Sequence, residues 1–472
     1  MRFSRFLFYP VVFGFFILST LACHKTDKID STAGLKLSFS VDTVFFDTVF
    51  PTIGSVTRRL IVHNPNKNKV SVASIRLAGG GNSSYRINVN GNPTLTASDI
   101  EIAGGDSLFI FVKVTIDPNK SDIPFVVSDS IEFTTNGTYQ NVKLVAWGRN
   151  AIFYRNATLK GNFVWDSLRA HVIYGFLRID TNATLTILPG TRVYFHKDAW
   201  LSISFHSTLK VHGVLGQPVR FQGDRLDPFY KDLPGQWGGI YLDQGSRDHE
   251  ITYAVIKNGT FGLSADSLGS QGAPLLLLND CIIRNMTSIG IFAYGSNIRS
   301  ENCVIGDCGG YAVYVEYGGT YDFRQLTVAN YWYASVRHVP SIGLTNFTQD
   351  TLGNKKPNAL TNAYFGNVIL FGAEDEEIML DSVATAPFNF TFDHALLKTL
   401  HPAGNASGYV HCIVNKDPGF VDVSKYDYRI DSISPAIHKG SAAISISIPY
   451  DINGVTRGQD PDLGAYEYVK KN

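Results

Sequence analysis

The residues best suited to chemistry recur at one place in a repeating frame between 262 and 339. Setting Gly262, Gly290, Ala312 and Ser335 in register puts Leu263, Ile291, Val313 and Val336 on an inward face. Strand alternation then turns Ser264, Phe292, Tyr314 and Arg337 outward, and two residues on, a second outward row carries Asp266, Tyr294, Glu316 and Val339. Aromatic rings beside a guanidinium and carboxylates suit a sugar polymer. Rings stack on the apolar faces of pyranose units, and an arginine forks onto a uronate carboxylate. The candidate ligand-binding residues are therefore Phe292, Tyr294, Tyr314, Glu316 and Arg337. The same rings would also serve to stack one repeat on the next, or to lie beneath a loop. Tyr331-Trp332-Tyr333 extends the aromatic surface, and His338 falls inward by this count.

Other clusters carry less. The acidic run Glu374-Asp375-Glu376-Glu377 follows Gly372 and has the form of a solvated turn. Asp451, Asp460 and Asp462 surround Arg457, a set that would hold calcium or, more simply, an ion-paired cap over a domain end. Cys281 and Cys303 occupy the same place in consecutive repeats and are expected as small buried residues. In-register neighbours in parallel strands have side-chain vectors unsuited to a disulfide. There is no CxxC, and His411-Cys412 has no partner pair at ligand spacing, so neither metal nor another cofactor is expected.

The elements that must position these residues are short strands. Ala254-Val255-Ile256-Lys257-Asn258, Cys281-Ile282-Ile283-Arg284-Asn285, Cys303-Val304-Ile305-Gly306-Asp307, Leu326-Thr327-Val328-Ala329-Asn330 and Ala363-Tyr364-Phe365-Gly366-Asn367 share one frame. Weaker echoes begin at Ala395 and Cys412. A period near 22 residues is too short for helical hairpins, which need about 33 or more. It fits one coil of a parallel β-helix, three strands joined by bends and stacked about 4.8 Å apart. Upstream lie Ala183-Thr184-Leu185-Thr186-Ile187-Leu188-Pro189-Gly190, Leu209-Lys210-Val211-His212-Gly213 and Trp237-Gly238-Gly239-Ile240, and the tail ends Asp462-Leu463-Gly464-Ala465-Tyr466-Glu467. From about 155 to 470 the chain resembles right-handed β-helix proteins of the pectate-lyase-like superfamily, especially lipoproteins of Bacteroidetes.

That resemblance implies a second reading of the outward rows. Lyases of the superfamily abstract a proton α to a uronate carboxylate with an Arg or Lys base and neutralise the carboxylate with Ca²⁺ held by acids. Here the base would be Arg337, with Asp266 and Glu316 as the acids. Hydrolases of the fold use clustered Asp pairs; this chain has no Asp-Asp and no Asn-Thr-Asp phrase.

Before the repeats, residues 34–150 show alternating runs at 35–41, 57–63, 70–77, 85–89, 107–116, 128–134 and 141–146. Turn clusters such as Asn64-Pro65-Asn66, Gly104-Gly105-Asp106 and Asn136-Gly137 separate them, which predicts a β-sandwich. The phrases Phe46-Asp47-Thr48-Val49, Arg59 to Asn64, Gly104 to Ser107 and Ile131 to Asn136 resemble the immunoglobulin-like domains of the major sperm protein and abnormal-spindle families, which are adaptors and spacers.

The N-terminus reads as an address. Arg2 and Arg5 precede an apolar stretch from Phe6, interrupted by Pro10 and Gly14, that ends in Thr20-Leu21-Ala22-Cys23. This ending resembles the bacterial lipoprotein box, in which the cysteine sulfur is lipidated. It implies a signal peptide over 1–22, lipidation of Cys23, a tether over 23–33 and outer-membrane residence, because His24 is not the Asp of inner-membrane retention.

Composition agrees with a mostly β, folded chain. Of 472 residues, 44% are apolar and 17% charged, which excludes wholesale disorder. Forty-three Gly, 23 Tyr and 31 Phe favour turns and strands over helices. With 41 Lys and Arg against 41 Asp and Glu there is no basic patch for nucleic acid. The expected architecture is an Ig-like sandwich at 34–150 followed by a right-handed parallel β-helix with a C-terminal cap at 151–472. The expected function is non-catalytic binding of a polysaccharide or other envelope component, the membrane being reached through lipid alone. The alternatives are a uronate lyase and a surface adhesin with a protein partner.

Overall fold

The computed structural model describes residues 28–49, 55, 57–115, 125–148, 151–226, 229–267, 276–400 and 407–470. Residues 1–22, expected as a signal peptide, and Cys23 lie outside them. The chain divides into two units, 1–150 and 151–472. The architecture is all-β, a sandwich and then a β-helix, and the only α-helix among the described residues is the single turn Ala442–Ser445.

In the first unit two five-stranded sheets face each other. One runs Ser38–Phe39, Arg58–His63, Ser107–Val114, Tyr85–Val89, Asn92–Thr94; the other Thr43–Val49, Thr138–Gly148, Phe125–Thr135, Val70–Leu77, Thr96–Ile102. Alternation decides which side chains enter the core. In Ser107–Val114 the even positions Leu108, Ile110, Val112 and Val114 are buried while Phe109 and Phe111 look outward. Three strands escaped the sequence pattern, the short Asn92–Thr94 and two longer ones. Thr43–Val49 pairs parallel with Thr138–Gly148, and the largely polar Thr96–Ile102 borders Val70–Leu77 with Asp99 in the left-handed region (φ 54). Their residues mix polar and apolar types without a clean period of two.

The second unit is a solenoid whose coils visit three parallel sheets, called A, B and C in chain order. The interior column of sheet A reads Val193, Phe221, Ile256, Ile283, Ile305, Val328, Leu370, Leu397. That of sheet B reads Leu177, Leu201, Ile240, Leu263, Ile291, Val313, Ile342, Ile378. In sheet C Phe323, Phe365, Phe392 and Tyr409 stack with ring centroids 5.2, 4.9 and 5.5 Å apart. Each fully buried Leu, Ile or Phe contributes roughly 1.5–3 kcal/mol, and repetition of like on like makes the column the dominant stabilising element. Cys281 and Cys303 are buried, free thiols within it.

The corner from sheet C to sheet A is made by one left-handed residue in coil after coil: Tyr253, Asp280, Asn302, Gln325, Asn367, His394 and His411, with φ between 45 and 54. Asn, Asp and His tolerate this region better than most side chains, which accounts for most of the column. It also explains an error in the repeat frame. Ala363–Asn367 ends in Asn like its supposed equivalents, but Ala363 pairs with Tyr321 in sheet C, and Asn367 is a C-to-A corner. The sheet A residue in Ala363's expected place is Val368, in register with Ala395, while the next residue, Ile369, stands opposite Thr327.

The C-terminal segment corrects another expectation. Instead of capping the end of the solenoid, it lies as a strap along the outside of sheet A. Tyr428, Ile452, Ala465 and Tyr466 pack on Val304 and Ala329, and Ile430, Ala436 and Leu463 on Ile369, Phe371 and Leu396. The strap hydrogen-bonds the corner column: Asn302 Nδ2 donates to Tyr450 O at 2.7 Å and Asn367 Nδ2 to Ser441 O at 2.9 Å.

Candidate functional site

The outer face of sheet B carries the aromatic and acidic rows. One row runs Arg178, Ser202, Tyr241, Ser264, Phe292, Tyr314, Gly343, Met379. The next contains Asp266, Tyr294 and Glu316 in register, and Asp243, after Leu242 whose partner is Ala265, stands beside Asp266. Phe292 and Tyr314 stack at 5.9 Å, Tyr311 on Tyr314 at 4.7 Å, and Tyr294 on Tyr317 at 5.0 Å. All are half-buried, so one ring face or edge of each borders solvent. Gly343 keeps the row open, since a Cβ there would lie 2.8 Å from the Tyr314 ring. Burial, with Glu316 nearby, pushes the Tyr314 hydroxyl up to about 12, so it remains a neutral donor. Glu316 Oε1 accepts from Thr348 Oγ1 at 2.6 Å.

Arg337 is not on this face. The coil equivalent of Ala312 is Ser341, because Val313 pairs with Ile342, and residues 331–341 form an excursion that strand counting cannot follow. Arg337 turns inward to a bidentate pair with Glu377, at 2.6 and 2.9 Å, and the two side chains are 1% and 0% exposed. Glu377 also accepts from Ser341 N and Oγ at 2.9 and 2.6 Å and from Glu374 N at 2.9 Å. The end of the acidic run is thus the anchor of an internal pair, not a solvated turn. Val336, expected inside, is 75% exposed, and His338 is exposed as well. Tyr331 faces the strap, 6.2 Å from Phe420, rather than prolonging the ladder.

The lyase arrangement therefore lacks its base. Its acids are also apart: Tyr294 separates Asp266 from Glu316, and two coil rises amount to about 10 Å, too far for one Ca²⁺ with ligands at about 2.3–2.6 Å. Around Arg457 the carboxylates of Asp451, Asp462 and Glu467 are already engaged. Arg457 pairs with Glu467 and donates to Asn302 Oδ1 at 2.7 Å, Asp451 accepts from Asn453 N, Val455 N and Glu467 N, and Asp462 from His438 N and Tyr468 N. These fix the strap's turns.

Further toward the N-terminus the same face deepens into a depression of about 270 Å³, lined by Arg178, Trp200, Ser202, Tyr241 and Asp243. Trp200 stacks on Phe176 at 5.4 Å and meets Tyr241 edge-on at 6.1 Å. Ser202 is 2% exposed, and its Oγ has no hydrogen-bond partner. A buried hydroxyl normally finds one, which sets Ser202 apart among the residues lining the depression. Burial raises the Asp243 carboxyl; Arg178 opposes the rise and Asp266 adds to it. Sequence reasoning passed over these residues. The signal was there, in Leu201-Ser202-Ile203 and Ile240-Tyr241-Leu242 matching Leu263-Ser264-Ala265, but unequal loops hid it.

A separate cluster sits at the last two C-to-A corners. Asp393, His394 and His411 each offer a donor atom within 4.8 Å of the other two. Linear spacing gave His411 no partners; the coil register supplies them.

Residues 231–332 match the family model described as a right handed beta helix region. No curated protein matches the chain. Among solved structures, the chain is similar to the catalytic unit of a GH87 α-1,3-glucanase from Streptomyces thermodiastaticus strain HF3-3, at 10% identity over 76% of this chain and 88% of that one, with a TM-score of 0.26. A family 123 glycoside hydrolase from Clostridium perfringens aligns at 10% identity over 27% of this chain, with a TM-score of 0.19, and the chain spans 30% of its length. The PapD-like domain 7 of human CEP192 aligns at 9% identity over 27% of this chain and 94% of that domain, with a TM-score of 0.18.

Proposed function

We propose that this protein is a lipid-anchored component of the outer membrane that binds a glycan along the outer face of sheet B without altering it. The observation that carries the reading is the outer surface of sheet B, where Tyr241, Phe292 and Tyr314 share a row interrupted by Ser264, Trp200 and Tyr294 flank it, and Asp243, Asp266 and Glu316 lie beside it. Rings at coil spacing offer successive apolar platforms, and the flanking carboxylates and the Ser202 hydroxyl accept or donate to sugar hydroxyls. The partner is a polysaccharide or another envelope component, not nucleic acid, and Cys23 supplies the membrane attachment. Isothermal titration against a panel of envelope and plant polysaccharides tests the first part. Binding that survives simultaneous Trp200→Ala and Tyr314→Ala substitution would refute it. Metabolic fatty-acid labelling, lost in Cys23→Ser, tests the anchor.

One observation favours a second reading. Asp243 and Asp266 stand side by side, and the Asp243 carboxyl is raised by burial and by its neighbour's charge. A raised acid beside a second carboxyl group suits glycoside hydrolysis. Release of reducing ends by the wild type, abolished by Asp243→Asn, would establish it over simple binding.

A further inference from the structure

We infer that Asp393, His394 and His411 form a binding site for a divalent transition cation of the zinc class, joining the last two coils of the solenoid. Three independent features of the chain converge there. First, the two histidines occupy the left-handed corner column, at φ 51 and 50, where earlier coils place Asp280, Asn302, Gln325 and Asn367. The pairing of Asp393 with Val410 sets His394 and His411 in register, and their rings lie 4.6 Å apart. Second, the carboxylate is aimed. Tyr364 donates its hydroxyl to Asp393 Oδ2 at 3.0 Å, leaving Oδ1 toward the imidazoles, 2.8 Å from His394 Nδ1 and 4.0 Å from His411 Nδ1. A second hydrogen bond holding a ligand carboxylate is the usual support of a metal site. Third, the His411 side chain is 70% exposed and makes no hydrogen bond among the described residues, so it is free to close on an ion while solvent fills the remaining position.

The donor spacing fits. Tetrahedral zinc with bonds of about 2.0–2.1 Å holds its donors about 3.3 Å apart, which needs a slight opening of the Asp393–His394 contact and a closing of His411. Two imidazole nitrogens and one carboxylate select zinc, cobalt, nickel or copper over calcium and magnesium, which prefer all-oxygen sets. Cys412 is not a ligand: its Sγ is turned to Phe392 O and Val410 O, each at 3.4 Å, and packs on the solenoid interior. The strands of the final coil, Tyr409–Val410 and Ile413–Val414, are two residues long, so a cross-link between coils has most to stabilise there.

The test is a titration of the tag-free full chain with Zn²⁺, Co²⁺ and Ca²⁺, read by calorimetry, by the visible spectrum of bound cobalt and by amide exchange in 388–414. One Zn²⁺ per chain is expected, with slowed exchange in that segment. His394→Ala and His411→Ala should each weaken binding about tenfold or more, Tyr364→Phe about tenfold, and Cys412→Ser not at all. His411 is exposed, so its variant keeps the fold, which circular dichroism verifies. No zinc uptake, uptake unchanged in the histidine variants, or preference for Ca²⁺ would each overturn the assignment.

Discussion

Arg337→Ala should destabilise the solenoid while leaving the glycan affinity of folded protein unchanged. The guanidinium makes two bonds to Glu377 and also donates to Val339 O at 2.8 Å and Asn330 O at 3.2 Å, so one side chain holds the excursion 331–341 against the coil. Its removal leaves Glu377, 0% exposed, with donors from Ser341 and Glu374 but no countercharge. Breaking one half of a buried pair costs about 3–5 kcal/mol, whereas replacing both halves with apolar groups is often neutral. Arg337→Met with Glu377→Leu should therefore recover most of the loss. Because long solenoids unfold in parts, the fitting assay is hydrogen exchange of the amides in Ile342–Thr345 and Leu360–Gly372, alongside urea unfolding. A loss under about 1 kcal/mol would refute the buried-pair account. So would a selective loss of glycan binding with protection intact.

On the face itself, Tyr314→Ala and Trp200→Ala should each weaken glycan binding by about 1 kcal/mol, measured by calorimetry with unfolding curves as control. Gly290→Ala should cost about 1–3 kcal/mol in urea unfolding, because the new Cβ would meet Ala312 O at 2.6 Å. Two buried groups give opposite pH dependences. His249, which accepts from Leu209 N through Nδ1, is held by burial at about 3, so its contribution is whole above the ordinary histidine value and declines as pH falls below it, by on the order of 3 kcal/mol at pH 4. Burial raises Asp307 to about 6, so its penalty appears as pH rises from about 4 to 6, and Asp307→Asn should flatten that part of the stability profile.

Periodicity revealed the solenoid because its interior columns are nearly pure: Ile256, Ile283, Ile305 and Val328 announce sheet A without help. The frame failed wherever a coil carries extra chain. Ser335 resembles a coil position in type but stands six residues before Ser341, and Arg337 went with it from a buried pair to an imagined surface. Asn367 misled for a different reason, since two corners of the same coil favour the same residue types. The strap was legible only in retrospect. Ile282, Val304, Ile369 and Leu396 are apolar on the outward side of sheet A, which signals a covering element but not which segment provides it. Ser202 and Tyr241 share a row, with Trp200 two residues before Ser202, yet the unequal connections 204–207 and 243–248 obscured their alignment with later coils.

The single-residue corner has a consequence for how this molecule can vary. From Tyr253 onward sheets C and A join through one left-handed residue, and the added chain of those coils lies where A turns to B and where B turns to C, as at 331–341 and 346–359. Both of those margins border sheet B. The floor of the aromatic surface is thus kept in strict register while the banks on either side are open to lengthening, so recognition could be retuned by loop insertion with no disturbance to the strap or to the column that carries the fold.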